Sequence, residues 1–179
     1  MKKVLLLLVI SFVLVSITHS QEQKAAFSKS TTLIQGGLGL GSYYYVGKIS
    51  GVPLQARFEK AISDEVSLGV IIGRSSSKYS DAFGAIRYNY TIIGLRGNYH
   101  FDGGNPTKFD PYAGATLGYN IFSVNTKDYG TNYVAESSAI LYGFQVGCNY
   151  YFTKKIGAWA EAGYGASYLG LGITVRLTD

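Results

Sequence analysis

Past residue 20 the chain has no apolar run long enough to cross a bilayer as a helix. Apolar and polar positions instead alternate with period two, in pieces of about ten residues separated by turn residues. Eight such pieces can be drawn. Thr31–Gly41 sets Ile34, Leu38 and Leu40 against Leu33, Gln35, Gly37 and Gly39, and Val52–Ile62 sets Leu54, Ala56 and Phe58 against Gln55, Arg57 and Glu59. Val66–Arg74 alternates Leu68, Val70 and Ile72 with Ser67, Gly69, Ile71 and Gly73. Arg87–Phe101 alternates Ile93, Leu95, Tyr99 and Phe101 with Gly94, Arg96, Asn98 and His100. Pro111–Phe122 and Ser138–Phe152 carry Leu117, Tyr119, Ile140, Phe144, Val146 and Cys148 on one face. Tyr112, Gly114, Thr116, Gln145, Gly147 and Asn149 lie on the other. Ile156–Gly165 opposes Ala158, Ala160 and Ala162 to Trp159, Glu161 and Gly163, and Leu169–Thr178 opposes Leu171, Ile173 and Val175 to Gly172, Thr174 and Arg176.

An all-β chain of this kind is either a soluble barrel or sandwich, apolar inside, or a transmembrane barrel, apolar outside. Three features favour the second. The polar faces are rich in glycine, as a narrow lumen needs if a few large side chains are to fit. Aromatics end the apolar faces of two pieces, Tyr99 with Phe101 and Tyr150 with Phe152, the placement of an interfacial girdle. The apolar faces are rich in Leu, Ile and Val, and Cys148 lies among them without a polar neighbour. Links also alternate in length. Ser63-Asp64-Glu65, Thr153-Lys154-Lys155 and the Asp102–Pro106 cluster are compact. Ser42–Gly51, Ser75–Ala85 and Ser123–Ser137 are longer, and Ala166–Tyr168 is short. The expected fold is an eight-stranded antiparallel up-and-down β-barrel over residues 30–179. Short turns and both termini face the periplasm, and closure removes the sheet edges that lipid cannot satisfy.

The stretch Trp159–Gly165 followed by Leu171–Leu177 resembles the closing hairpin of the outer-membrane β-barrel family often labelled the porin family. Asp110–Ala115 and Gly97–Phe101 fit the same family, and the resemblance covers nearly all of the chain after residue 20. It implies outer-membrane lipid as surroundings and the barrel-assembly machinery as a partner during biogenesis. Such barrels usually end on an aromatic residue; here Leu177 takes that place and Thr178-Asp179 follow it.

The first twenty residues supply the export route. Lys2 and Lys3 precede the unbroken apolar run Val4–Val15, and Thr18 and Ser20 place small side chains before a cut after Ser20. Even extended to Ile17, the run is shorter than the ~20 residues of a membrane-spanning helix, so it reads as a cleaved signal peptide. No Cys follows it to carry a lipid. Residues 21–29 are polar and read as a flexible lead-in.

Composition then removes chemistry. Charged residues are 15%, and the chain has one Cys and two His, one of them inside the signal, which excludes a disulfide scaffold and His- or Cys-rich metal sites. The formal charge of +5 falls when the two signal lysines leave, and the remaining cations are scattered, so nucleic acid is not expected as a partner. Gly36-Gly37-Leu38-Gly39 is followed by Tyr43-Tyr44-Tyr45 and another strand rather than by a helix, unlike a dinucleotide loop. His100 is the one histidine left for a Ser-His-acid esterase, and it faces inward two residues from a short turn, which favours a hydrogen-bonded lumen histidine. Glu59 and Glu161 also face inward, as Arg57, Arg96 and Arg176 do, so ion pairing explains them better than glycoside hydrolysis. No catalytic residue, cofactor or metal is expected.

What parity does predict is a lumen network of Arg57, Glu59, Arg96, His100, Glu161 and Arg176, with Glu161 and Arg176 paired directly and one positive charge left to Gln55, Gln145, Asn98 and Asn149. Eight strands leave room for side chains and not for a water column. A plugged barrel with a structural or loop-binding role is therefore favoured over a small-solute pore, and over a lipid- or sugar-modifying enzyme. Tyr43, Tyr44, Tyr45, Tyr79, Tyr129 and Tyr133 are the candidate loop contacts for an extracellular ligand or protein.

Overall fold

The computed structural model describes residues 26–41, 48–81, 84–101, 108–125 and 134–177. They form β1 (Thr32–Leu40), β2 (Lys48–Ile49), β3 (Leu54–Ala61), β4 (Val66–Asp81), β5 (Gly84–His100), β6 (Phe109–Asn125), β7 (Val134–Tyr151), β8 (Ile156–Tyr164) and β9 (Leu169–Arg176). Every pairing is antiparallel, and β9 returns to β1 from Leu33↔Arg176 to Leu40↔Leu169, closing a barrel of eight staves. β2 is not a stave. It prolongs the edge of β4 past the end of β3, with Lys48 opposite Lys78 and Ile49 opposite Ser77.

The eight expected strands are present, but four run further than the alternation indicated. β4 continues to Asp81 and β5 begins at Gly84, with the ladder unbroken to Asp81↔Gly84; β6 and β7 stay paired to Asn125↔Val134. Most of Ser75–Ala85, and both ends of Ser123–Ser137, are therefore strand and not loop. The reason is that backbone pairing needs only an adjacent strand. The outward alternation that marks a lipid-facing strand needs apolar residues turned to the bilayer, and above the belt the outward positions are polar: Ser76, Lys78, Asn89, Arg87 and Ser123. β4 to β7 are 16–18 residues long against 8–9 for β1, β3, β8 and β9, so the barrel has one tall rim.

The opposite rim carries the tight turns, closed by Ile62 N–H to the Val66 carbonyl (2.8 Å) and Phe152 N–H to the Ile156 carbonyl (3.0 Å). The Asp102–Pro106 link and Tyr43, Tyr44, Tyr45, Tyr129 and Tyr133 lie outside the described residues, as does the proposed signal. Tyr79 is described and stands exposed on the tall rim.

Polarity is inverted relative to a water-soluble barrel. Leu95 (68% exposed), Phe144 (67%), Leu117, Ile140, Val146 and Ile72 form an apolar outer belt, whereas Gln35, Asn98, Asn149, Thr174 and Asp110 are at most 2% exposed inside. At the turn rim the belt ends in two edge-to-face aromatic pairs on neighbouring outward positions, Tyr99–Phe101 (5.3 Å) and Tyr150–Phe152 (5.6 Å). Cys148 also points outward, half-buried, with Pro111 and Ala160 as its cross-strand partners.

The flexible lead-in needs correction where it is described. Ala26 and Phe27 are buried, and the chain turns at residues 28–31 through Thr31 N–H to the Ser28 carbonyl (2.8 Å). An apolar pair in a polar segment has one way to leave water here, which is to enter the barrel mouth at the turn rim.

Candidate functional site

Strand parity delivers the inward residues to one channel, and their heights sort them into three layers. Toward the tall rim the filling is apolar: Ile71, Ile92 and Leu141, with Tyr90, are all nearly solvent-free. A cavity of about 10 Å³ beside Gln55, Ile71, Ser75, Tyr90 and Ile92 is room for roughly one water.

The middle layer holds the charges. Arg57 of β3 grips Glu161 of β8 with both terminal nitrogens, Nη1 to Oε2 at 2.9 Å and Nη2 to Oε1 at 2.7 Å, and Nη2 also reaches Gln55 Oε1 at 3.1 Å. Arg96 of β5 donates from Nη2 to Glu161 Oε2 at 2.7 Å. Its Nε lies 2.9 Å from Glu59 Oε1, an ion pair in which the N–H is not aimed for a full hydrogen bond. The Tyr112 hydroxyl donates to Glu161 Oε2 at 2.9 Å. Glu59 Oε2 accepts from Asn98 Nδ2 at 2.8 Å and from Ser67 Oγ at 3.1 Å. Gln145 joins the same layer by donating to Asn98 Oδ1 (2.9 Å) and accepting from Thr116 (3.1 Å). The planar guanidinium suits two carboxylate oxygens at once, and this fork geometry is what holds β3, β5 and β8 together across the lumen.

Glycine supplies the room. The Arg57 guanidinium lies over the Trp159 ring, 3.9 Å from its centre. A Cβ at Gly170 would stand 2.7 Å from Trp159 Cζ3, and one at Gly172 would stand 2.8 Å from its Nε1, so the indole occupies space that only glycines leave open.

The third layer, at the turn rim, centres on His100. Its Nδ1 lies 2.7 Å from Asp110 Oδ1 and its Nε2 lies 3.0 Å from Ser67 Oγ. Asn149 donates to Asp110 Oδ2 at 2.9 Å and in turn accepts from Gln35 Nε2 at 2.8 Å. Phe27 stacks face to face on the imidazole, with centroids 3.5 Å apart and planes within 6°. Ser67, His100 and Asp110 thus form a Ser-His-Asp line, a constellation that serves nucleophilic catalysis when a substrate can enter. Here Ser67 and Asp110 are 0% exposed, the Ser67 hydroxyl also faces the Glu59 carboxylate, and Phe27 covers the imidazole. In this arrangement the line is a hydrogen-bonded floor.

Five of the six expected network residues converge as neighbours or next neighbours, but the pairing differs. Glu161 does not meet Arg176. It sits opposite Gly170 on β9, and Arg176 lies six residues further along that strand, about 20 Å away at ~3.3 Å per residue. Parity fixes the face and not the height. Arg176 instead donates to the Ala26 carbonyl and lies over the Tyr151 ring (4.1 Å to its centre), fastening the N-terminal segment.

Three lumen residues escaped the sequence reading as network members: Asp110, Tyr112 and Phe27. The alternation starts the fifth strand at Pro111, one residue past Asp110, whereas β6 begins at Phe109. With it, the lumen holds Arg57, Arg96 and Arg176 against Glu59, Glu161 and Asp110, so the expected surplus charge disappears.

No known family profile matches the chain, and no curated sequence matches it. Its fold is similar to that of Neisserial surface protein A (NspA), at 18% identity over 88% of this chain and 100% of that one, with a TM-score of 0.56. It is also similar to the outer membrane protein OprG from Pseudomonas aeruginosa (12%, covering 86% and 98%, TM-score 0.58). The N-terminal β-barrel domain of Pseudomonas aeruginosa OprF is a further likeness (19%, covering 87% and 100%, TM-score 0.52).

Proposed function

We propose that the chain is an integral outer-membrane protein whose eight-stranded barrel is plugged, with a structural or loop-mediated binding role in the envelope. The observation that carries this is the inversion of polarity. A belt of exposed Leu, Ile, Val and aromatic side chains surrounds a buried hydrogen-bonded interior. In water such a belt far exceeds the few hundred Å² of contiguous apolar surface a soluble monomer tolerates. In hydrocarbon it is the favoured solution. The names of the structural relatives, a surface protein and an outer membrane protein, support the same compartment.

Both termini and the tight turns face the periplasm in this reading, and the tall rim faces outward. The assembly machinery engages β9, the last of the described strands. The filled lumen, with Arg57, Arg96, Glu59 and Glu161 cross-linking opposite walls, opposes solute passage. The Ser67–His100–Asp110 line, with all three residues buried and Phe27 stacked on the imidazole, opposes catalysis as the main role.

The test is biochemical. Protein purified in detergent should give β-type circular dichroism and migrate differently on a gel before and after boiling. A helical spectrum, or a folded protein that stays soluble without detergent, contradicts the proposal.

A further inference from the structure

Of the eight stave pairings, seven join staves that follow one another along the chain, and the eighth, β1 with β9, joins its two ends. A pairing with no short link between its strands costs the most loop-closure entropy to form, and its opening returns the most freedom to the chain. The N-terminal segment lies across that seam. It runs into β1 through Thr31, whose carbonyl accepts from Ala61 N–H of β3 at 2.9 Å. From there it reaches the far side. Arg176 of β9, 150 residues away, donates to the Ala26 carbonyl, and Ala26 packs with Leu33 of β1 and Tyr151 of β7. Phe27 stacks on His100 of β5, and Lys29 N–H donates to Asp64 Oδ1 in the β3–β4 turn at 2.9 Å. Parting β1 from β9 therefore breaks the segment's contacts with β5, β7 and β9 as well as the ladder itself.

The socket that receives residues 26–29 is built from Leu33, Asp64, His100, Tyr151 and Arg176, four of them far along the chain from the segment itself. It is complete only once β9 lies beside β1. We propose that residues 26–31 are a strap that docks after the barrel closes and locks the β1–β9 seam from the lumen side. Docking is the last step of folding, and its contacts are absent while the seam is forming. Contacts made after the rate-limiting step slow the reverse reaction and leave the forward one unchanged. The strap is thus a kinetic lock, because it must undock before the seam can open. The inference rests on the closed barrel alone, not on its orientation in the membrane or on whether the lumen conducts.

The test follows folding and unfolding of the full chain in phospholipid vesicles. The single tryptophan, Trp159, reports the lumen, and an unboiled gel reports the folded barrel. Phe27→Ala should unfold about tenfold faster at fixed urea and fold at the wild-type rate on dilution. Arg176→Gln removes the clasp, should likewise speed unfolding alone, and serves if the first variant does not fold. If neither folds, the strap is needed to reach the closed barrel and the proposal fails. A covalent seam then separates a lock from general stabilisation. Ile34 and Val175 are direct cross-strand partners, at the separation a disulfide spans. Ile34→Cys with Val175→Cys, in a Cys148→Ser background, ties β1 to β9. With the seam tied, Phe27→Ala should change the unfolding rate by less than about twofold, since strap and bridge act on the same opening. An undiminished acceleration there would mean the strap steadies the lumen and not the seam. That result would overturn the lock, as would wild-type unfolding of Phe27→Ala in the untied barrel, or folding slowed as much as unfolding is sped.

Discussion

Glu161 is the residue on which the middle of the lumen turns. It accepts from Arg57, Arg96 and Tyr112, so removing it strands the Arg57 guanidinium, whose side chain is 0% exposed, and leaves Arg96 with Glu59 alone. Glu161→Ala should destabilise the barrel by ~3–5 kcal/mol, the range for breaking a buried pair and leaving its partner. The urea midpoint in lipid vesicles measures this, and a change under ~1 kcal/mol, typical of exposed pairs, would mean the lumen is wet. Trp159 tests the fit from the other side. Gly172→Ala places a methyl against the Gly36 carbonyl and 2.8 Å from the indole nitrogen, so it should cost ~1–3 kcal/mol by overpacking, read in the same titration. Cys148 reports on the belt. Because it points outward near the turn rim and is half-buried, Cys148→Arg should cost toward the lower part of the ~2–4 kcal/mol seen at midplane depth. Ready reaction of Cys148 with a membrane-impermeant thiol reagent in sealed vesicles would contradict that placement.

At the scale of elements, alternation made the staves legible inside the belt and failed beyond it. Val66, Leu68, Val70 and Ile72 announce β4, but Ser75-Ser76-Ser77-Lys78 has no apolar face to announce, and its strand is visible only through its partner β5. The same blindness hid Asp110 at the start of β6, and with it the acid beside His100. The N-terminal segment was illegible for a different reason. Two apolar residues, Ala26 and Phe27, make no periodic pattern, and their burial depends on a barrel mouth formed by residues far along the chain, with Arg176 as the clasp. Phe27→Ala removes the ring stacked on His100 and should release this segment without melting the barrel, since the staves keep their own ladder. Limited trypsin digestion of the folded protein should then cut at Lys29, where the wild type resists. Equal resistance would mean the stacking contributes little to holding the segment.

For the molecule as a whole, which residues face inward was readable from period two alone, because a one-residue slip would send every side chain to the other face. Which of them meet was not, because stagger between strands sets height, and height separated Arg176 from Glu161 while bringing Arg57 and Arg96 to it. The assembled lumen is an apolar layer, a charged cross-link and a His-centred floor under Phe27, stacked in a barrel of eight strands. Each layer alone would hinder ions, and the cavity beside Gln55 has room for about one water. The most direct test is single-channel recording of the purified wild-type barrel in planar bilayers. A plugged lumen predicts a baseline without steady conductance at moderate voltage. A stable, reproducible conductance step from the wild-type protein would contradict it and make the barrel a pore.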